Sequence, residues 1–186
     1  MRDGAHELIF VTGNPWKLAE AQALLPRTTV IQKKLELPEV QSLDPVEVVR
    51  HKLESVVRQR VTECIVEDSS LSFACLGDKL PGPFIASFEE ALGVEGLYVL
   101  TQKYGDDRAA GRTMIGYADA DGTMHVFEGV VEGRIVAPRG DKDFGYGAAF
   151  MPSGSNMTFE EMEREEKYAR SSRGAAFLKL REYLDR

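Results

Sequence analysis

Cysteine, histidine and tryptophan are scarce in this 186-residue chain, at two, three and one. Cys64 and Cys75 lie in or near apolar segments without metal-ligand spacing, which argues against a disulfide framework or a paired-cysteine zinc site. They read as core thiols in a reducing compartment. His6, His51 and His125 form no recognisable set with a serine or cysteine, so a covalent Ser-His or Cys-His mechanism is a poor fit. No apolar run approaches the ~20 residues of a membrane span. The N-terminus passes directly into a strand pattern, so no signal peptide is expected and a cytoplasmic location is. Positive charge is also short. Twenty-three Lys and Arg against thirty Asp and Glu leave a formal charge of −7, which argues against a groove for polymeric nucleic acid. A small polyanion remains possible where a few cations converge and a divalent ion offsets the rest. Internal repeats, low-complexity tracts and linkers are lacking as well.

What is present is an ordinary globular composition, 43% hydrophobic and 28% charged. It fits one domain over 1–186, built as two tightly packed lobes with the second at roughly 75–140. Residues 7–11 read as a short buried strand. Asn14 then caps a helix with Pro15 at its first position, and the apolar spacing of Leu18, Ala21, Leu24 and Leu25 continues it. A second strand is expected over 30–40. Asp44, Pro45 and Glu47 look like a capping box opening a helix to about residue 61. Leu76–Pro83 is a Gly/Pro-rich turn, followed by helical stretches at 83–92 and 95–104. Residues 111–136 look like a hairpin around Asp121-Gly122. Thr158 to Glu161 forms a capping box before a charged helix carrying Lys167, and Ser171 or Ser172 caps the last helix.

The chemistry centres on Glu67-Asp68, which Ile65 and Val66 lead into as the carboxyl end of a buried strand. Adjacent, partly desolvated carboxylates repel, so they need a cation or a proton, and Mg²⁺ is a hard ion that suits them and brings phosphates. An exposed acidic turn is the bland alternative. Gly13 at a strand-to-helix turn lets backbone N–H groups face a ligand, with Lys17 one turn into the helix. This is not a Walker A loop, which needs more glycine and a Lys-Ser/Thr ending. Two glycine-bearing loops, the cations Lys17, Lys52, Lys167 and Arg173, and the acids Glu39, Glu67 and Asp68 together suit a nucleoside triphosphate with Mg²⁺.

Phe10–Asn14 with Lys17, Leu37–Glu39, Val66–Ser69, Leu80–Pro83, Gly133–Gly140, Phe144–Tyr146 and Thr158…Lys167…Ser171-Ser172-Arg173 recur in order along nearly the whole chain. In this the sequence resembles the inosine triphosphate pyrophosphatase (HAM1/RdgB-like) family. The resemblance implies an α/β, ITPase-like (Maf/HAM1) two-lobed fold, with a long mixed central sheet flanked by helices and a cleft between the lobes. It implies a homodimer, and Mg²⁺-dependent hydrolysis of non-standard purine triphosphates such as ITP, dITP and XTP to monophosphate and pyrophosphate, with Mn²⁺ able to substitute. Carried over by position, Thr12, Gly13, Asn14, Lys17, Lys52 and Ser69 hold substrate. Glu39 and Asp68 organise the metal with Glu67 close by, and Asp68 is the catalytic base. Phe144, Gly145, Tyr146, Gly147, Lys167, Ser172 and Arg173 face the nucleoside.

Two positions depart from the family pattern: Gly147 stands where Asp is usual and Ser172 where His is usual. Both changes fall at the base end, so the reaction type is expected to survive while base preference relaxes or moves. Losing buried polar readers can alter discrimination by roughly 10⁴. The rival reading is a nucleotide-binding sensor or partner subunit with little turnover.

Overall fold

The computed structural model describes residues 6–140 and 145–186. In chain order the elements are β1 (His6–Val11), α1 (Pro15–Leu24), β2 (Thr28–Lys33), α2 (Pro45–Arg58), β3 (Cys64–Phe73), β4 (Pro81–Gly82), α3 (Ile85–Tyr104), β5 (Arg108–Ala118), β6 (Met124–Ile135), β7 (Phe150–Pro152), α4 (Arg164–Arg170) and α5 (Ser172–Leu184). The strands form one sheet in the order β2-β1-β3-β5-β6-β7, with β4 on β3. β1 runs parallel to β2 and β3, and every other pairing is antiparallel. The expected mixed sheet flanked by helices is therefore present.

Side chains alternate across a strand, and β3 shows what this does here. Ile65 packs with Phe10, Leu25 and Phe177 in the core under α1 and α5. Cys64 and Val66 pack with Val49, Leu53 and Val56 under α2 on the other face. A third cluster, from Leu71 to Met162, fills the far end against α3. The helix α5 lies close on β6 because Gly129 lacks a side chain: a Cβ there would fall 1.9 Å from the Ser172 carbonyl oxygen.

Several expectations need correction. The second strand stops at Lys33, where its partner β1 ends (Val11 pairs with Lys33), and Pro38 has no N–H to extend a ladder. Glu67 and Asp68 are not at a strand end. On the other edge of β3 from β1, β5 pairs along the whole strand from Cys64 to Phe73 and leaves both carboxylates mid-strand. At α2, Asp44 accepts from the Val46 N–H as expected. Glu47, however, accepts from the Ser42 hydroxyl, which itself accepts from the Asp44 N–H, so the box closes through a third residue. This helix ends at Arg58. Glu161 does accept from the Thr158 N–H at 2.8 Å, but Thr158 Oγ1 donates to the Arg139 carbonyl instead of capping. Only a turn forms there, and α4 starts at Arg164. The stretches expected at 83–92 and 95–104 are, by contrast, present as two helical runs within α3, separated by a kink at Gly93 where φ is 67°.

Candidate active site

Asn14 caps α1, its side chain accepting from the Trp16 and Lys17 N–H groups at 2.9 and 3.4 Å. This aims the first turn of α1 across the end of β1 and delivers Lys17 to Glu67 at 3.2 Å. The Asn14 N–H is in turn bound by Thr12 Oγ1 at 3.1 Å. Several of the loop's N–H groups therefore satisfy the loop itself, and Gly13, whose Cβ position faces open space, is its accessible face. A groove of about 340 Å³ runs here, lined by Thr12, Gly13, Asn14, Lys17, Glu39, Lys52 and Glu67.

Glu67 and Asp68 have different nearest partners, while the Lys17 charge acts on both. By the alternation of β3, Glu67 lies on the α1/α5 face and Asp68 on the α2 face, each with its own partners. Glu67 is buried and meets Lys17 and the forked guanidinium of Arg173 at 3.0 and 3.1 Å. Burial alone would raise its carboxyl, but Arg173 and Lys17 outweigh burial and hold it at about 2. Asp68 meets Lys52 at 3.0 Å, and Lys52 reaches Glu39 at 3.7 Å. Here burial prevails over the pull of Lys52 and Lys17, and the Asp68 carboxyl is raised. A raised carboxyl is the stronger base.

The donor set bears on a metal. Among the described residues no three Asp, Glu, His or Cys side chains converge as a ready-made cage. Mg²⁺ does not require one, since it is held by one or two carboxylates together with phosphates and water. Asp68 Oδ2 is buried with no hydrogen-bond partner, and the Glu39 side chain is 79% exposed beside Lys52. A hard cation between these two carboxylates fits the oxygens present.

At the other end a smaller cavity of about 110 Å³ is bounded by Gly145, Tyr146, Gly147, Lys167, Ser172 and Arg173. All six were expected to face the nucleoside, and they are brought together. Phe144 lies outside the described residues. Lys17 and Ser69 line the same cavity, and Lys17 also lines the groove above, so the two adjoin. Ser69 donates to Glu67 at 2.9 Å, and Ser172 shares a 2.9 Å hydrogen bond with Thr113.

Sequence reasoning missed Glu20, a buried acid on α1 that ion-pairs with Lys167 at 3.1 Å and also with Arg173. Its spacing from Lys17, one turn along the same helix, was the available signal. Glu67, Glu20 and Ser69 engage four of the five N–H donors of Arg173, making it a strut between α5, β3 and α1. Glu89 and Glu160 near the 145–147 turn were also missed, and no spacing pattern marks them. Glu89 Oε1 is buried without a partner, and burial lifts that carboxyl to about 7.

A family model described as the Ham1 family matches residues 8–183. A relative from Puccinia graminis f. sp. tritici named inosine triphosphate pyrophosphatase is 37% identical, covering 98% of this chain and 99% of its own. One of the same name from Schizosaccharomyces pombe is 34% identical, covering 96% and 95%. Among solved structures, the Staphylococcus aureus Ham1 protein superposes with a TM-score of 0.82 at 24% identity, over 96% of this chain and 98% of that one, a likeness of fold. A dITP/XTP pyrophosphatase from Mycobacterium abscessus gives 0.67 at 28% identity, over 94% and 98%.

Proposed function

The chain belongs to the Ham1 family, and from that premise we propose that it is a nucleoside triphosphate pyrophosphatase, hydrolysing non-standard purine triphosphates such as ITP, dITP and XTP to the monophosphate and pyrophosphate. The observation that carries the reading is convergence: Lys17, Lys52, Glu39, Glu67 and the Thr12–Asn14 loop meet along one groove, with Asp68 against Lys52. This groove adjoins a cavity of the right composition for a base.

Lys17 and Lys52 hold the triphosphate, exchanging part of their pairing with Glu67 and Asp68 for phosphate oxygens, while Gly13 lets the chain approach closely. Asp68 takes the proton of the attacking water at a carboxylate oxygen. The water oxygen bonds to the α-phosphorus as the bond to the bridging oxygen breaks, and pyrophosphate leaves with its new charge against the lysines. Glu39 and Asp68, with Glu67 nearby, would hold Mg²⁺, which when bound would supply neutralisation of the triphosphate charge and polarisation at the reacting phosphoryl group. Mn²⁺ offers similar oxygen coordination. Lys167, Arg173, Ser172 and the Gly145–Gly147 turn face the base.

The working unit in this reading is a homodimer in the cytoplasm; among the described residues no helix is long and apolar enough to cross a membrane. Pyrophosphate release across a panel of ordinary and non-standard triphosphates, with Mg²⁺ present or chelated, tests the proposal. Binding without release favours the sensor reading instead.

A further inference from the structure

Thr113 carries no role so far, yet it lines the cavity at the base end together with Ser172. Their hydroxyl oxygens lie 2.9 Å apart, and either can be the donor. Both residues are buried, Thr113 at 1% exposure and Ser172 at 5%. They meet because Gly129, the β6 partner of Thr113, has no side chain to hold α5 off the sheet. On its other side Thr113 is in register with Ser69 of β3, which lines the same cavity. The groove of Thr12, Lys17 and Glu67 draws on β1 and β3, so Thr113 stands one strand, ~4.8 Å, further out. The bond between the two hydroxyls engages one of their two protons. Among the described residues no other hydrogen bond reaches either oxygen, which leaves one proton and spare lone pairs for a ligand in the cavity.

We propose that Thr113 is a specificity-determining residue that works with Ser172 as a reversible pair, reading two neighbouring atoms on the outer edge of the base. The inference rests on the nucleotide reading above. Hypoxanthine offers a keto oxygen beside a protonated ring nitrogen. Ser172 then donates to the keto oxygen, Thr113 donates to Ser172, and the ring N–H donates to Thr113. Adenine offers the opposite order, an amino group beside a bare ring nitrogen. Here the amino group donates to Ser172, Ser172 to Thr113, and Thr113 to the ring nitrogen. Rotating two O–H bonds turns one arrangement into the other, and in neither is a hydroxyl proton left over. A fixed donor or a fixed acceptor at this place would favour one order. The substrate class is therefore purine triphosphates with a donor and an acceptor side by side in either order, keto and amino purines alike.

Wild type, Thr113→Val, Thr113→Ser and Ser172→Ala are compared on ITP, ATP and benzimidazole riboside triphosphate, whose purine-shaped base has no polar atom on its six-membered ring. Two readouts are taken: kcat/KM for pyrophosphate release, and equilibrium nucleotide affinity with Asp68→Asn added. Wild type is expected to handle ITP and ATP within about tenfold of each other and both better than the benzimidazole compound. Thr113→Val keeps the shape and removes the hydroxyl, and Ser172→Ala removes the other. Each is expected to lower ITP and ATP roughly tenfold or more relative to the benzimidazole compound, the cost of leaving buried polar groups unpaired. Thr113→Ser keeps the hydroxyl and is expected to retain the wild-type ratios, whereas a packing role for the methyl group would spare Val and penalise Ser. Ratios unchanged in Thr113→Val, an equal fall for all three compounds, or a wild-type preference between ITP and ATP beyond tenfold overturns the assignment while leaving the pyrophosphatase reading standing. Thr113-dependent binding ratios without any pyrophosphate release overturn the pyrophosphatase reading and keep the assignment.

Discussion

The two ends of the cleft are built on different principles. At the end proposed to hold the triphosphate, acids and bases are matched: Lys17 with Glu67, Lys52 with Asp68 and Glu39. What matters there is charge, and any triphosphate presents the same charge. At the end proposed to hold the base, the walls are a glycine turn, hydroxyls and the Lys167/Arg173 pair braced by Glu20. What matters there is which atoms donate and which accept. Changes at the first end should therefore scale all substrates together, and changes at the second should alter ratios between them.

The largest expected effect is at Asp68, the proposed general base. Asp68→Asn is expected to lower kcat about 10³-fold or more for every triphosphate, equivalent to roughly 4 kcal/mol of barrier, with the melting temperature little changed. A substrate-selective loss, or unchanged kinetics, would break the division between the two ends. Lys52→Ala removes one fixed cation from the phosphate groove and is expected to cost about 10²-fold in kcat/KM, again nearly equally across bases.

Glu67 sharpens the comparison through stability, because it ties the ends together through Arg173. Its carboxyl sits at about 2 in the fold against 4.5 ordinarily. The native state thus gains from its ionisation above about pH 4.5, and this gain is lost as pH falls towards 2. Roughly 3 kcal/mol is at stake. Acid unfolding of Glu67→Gln is expected to be flatter across that window than in wild type, and superimposable curves would contradict the buried network. The smallest effect is at Lys167. Lys167→Ala is expected to shift the ratio of kcat/KM between ITP and ATP by about tenfold while leaving the product unchanged.

Which parts of this were legible in the sequence follows the same division. The Asn14 and Asp44 caps, the Asp121-Gly122 hairpin and the Lys17, Lys52, Glu67 and Asp68 set were readable, because caps, turns and charge clusters are local signals. The length of β3 was not, since it depends on β5, distant in sequence, pairing along the whole strand where β1 covers only Cys64 and Ile65. Nor was the separation of Glu67 from Asp68, which follows from that length: mid-strand neighbours point to opposite faces, whereas residues at a frayed strand end can share a ligand. Glu160 lay beyond reach for another reason. Its place beside Gly147 and Gly140 is set in space, and no periodicity encodes that contact.

The central claim is that water attacks the α-phosphorus. Hydrolysis of ITP in ¹⁸O-labelled water with Mg²⁺, followed by mass analysis of both products, tests it most directly. The account predicts one labelled oxygen in the monophosphate and unlabelled pyrophosphate, released one for one. Label in pyrophosphate, or release of orthophosphate, would contradict it.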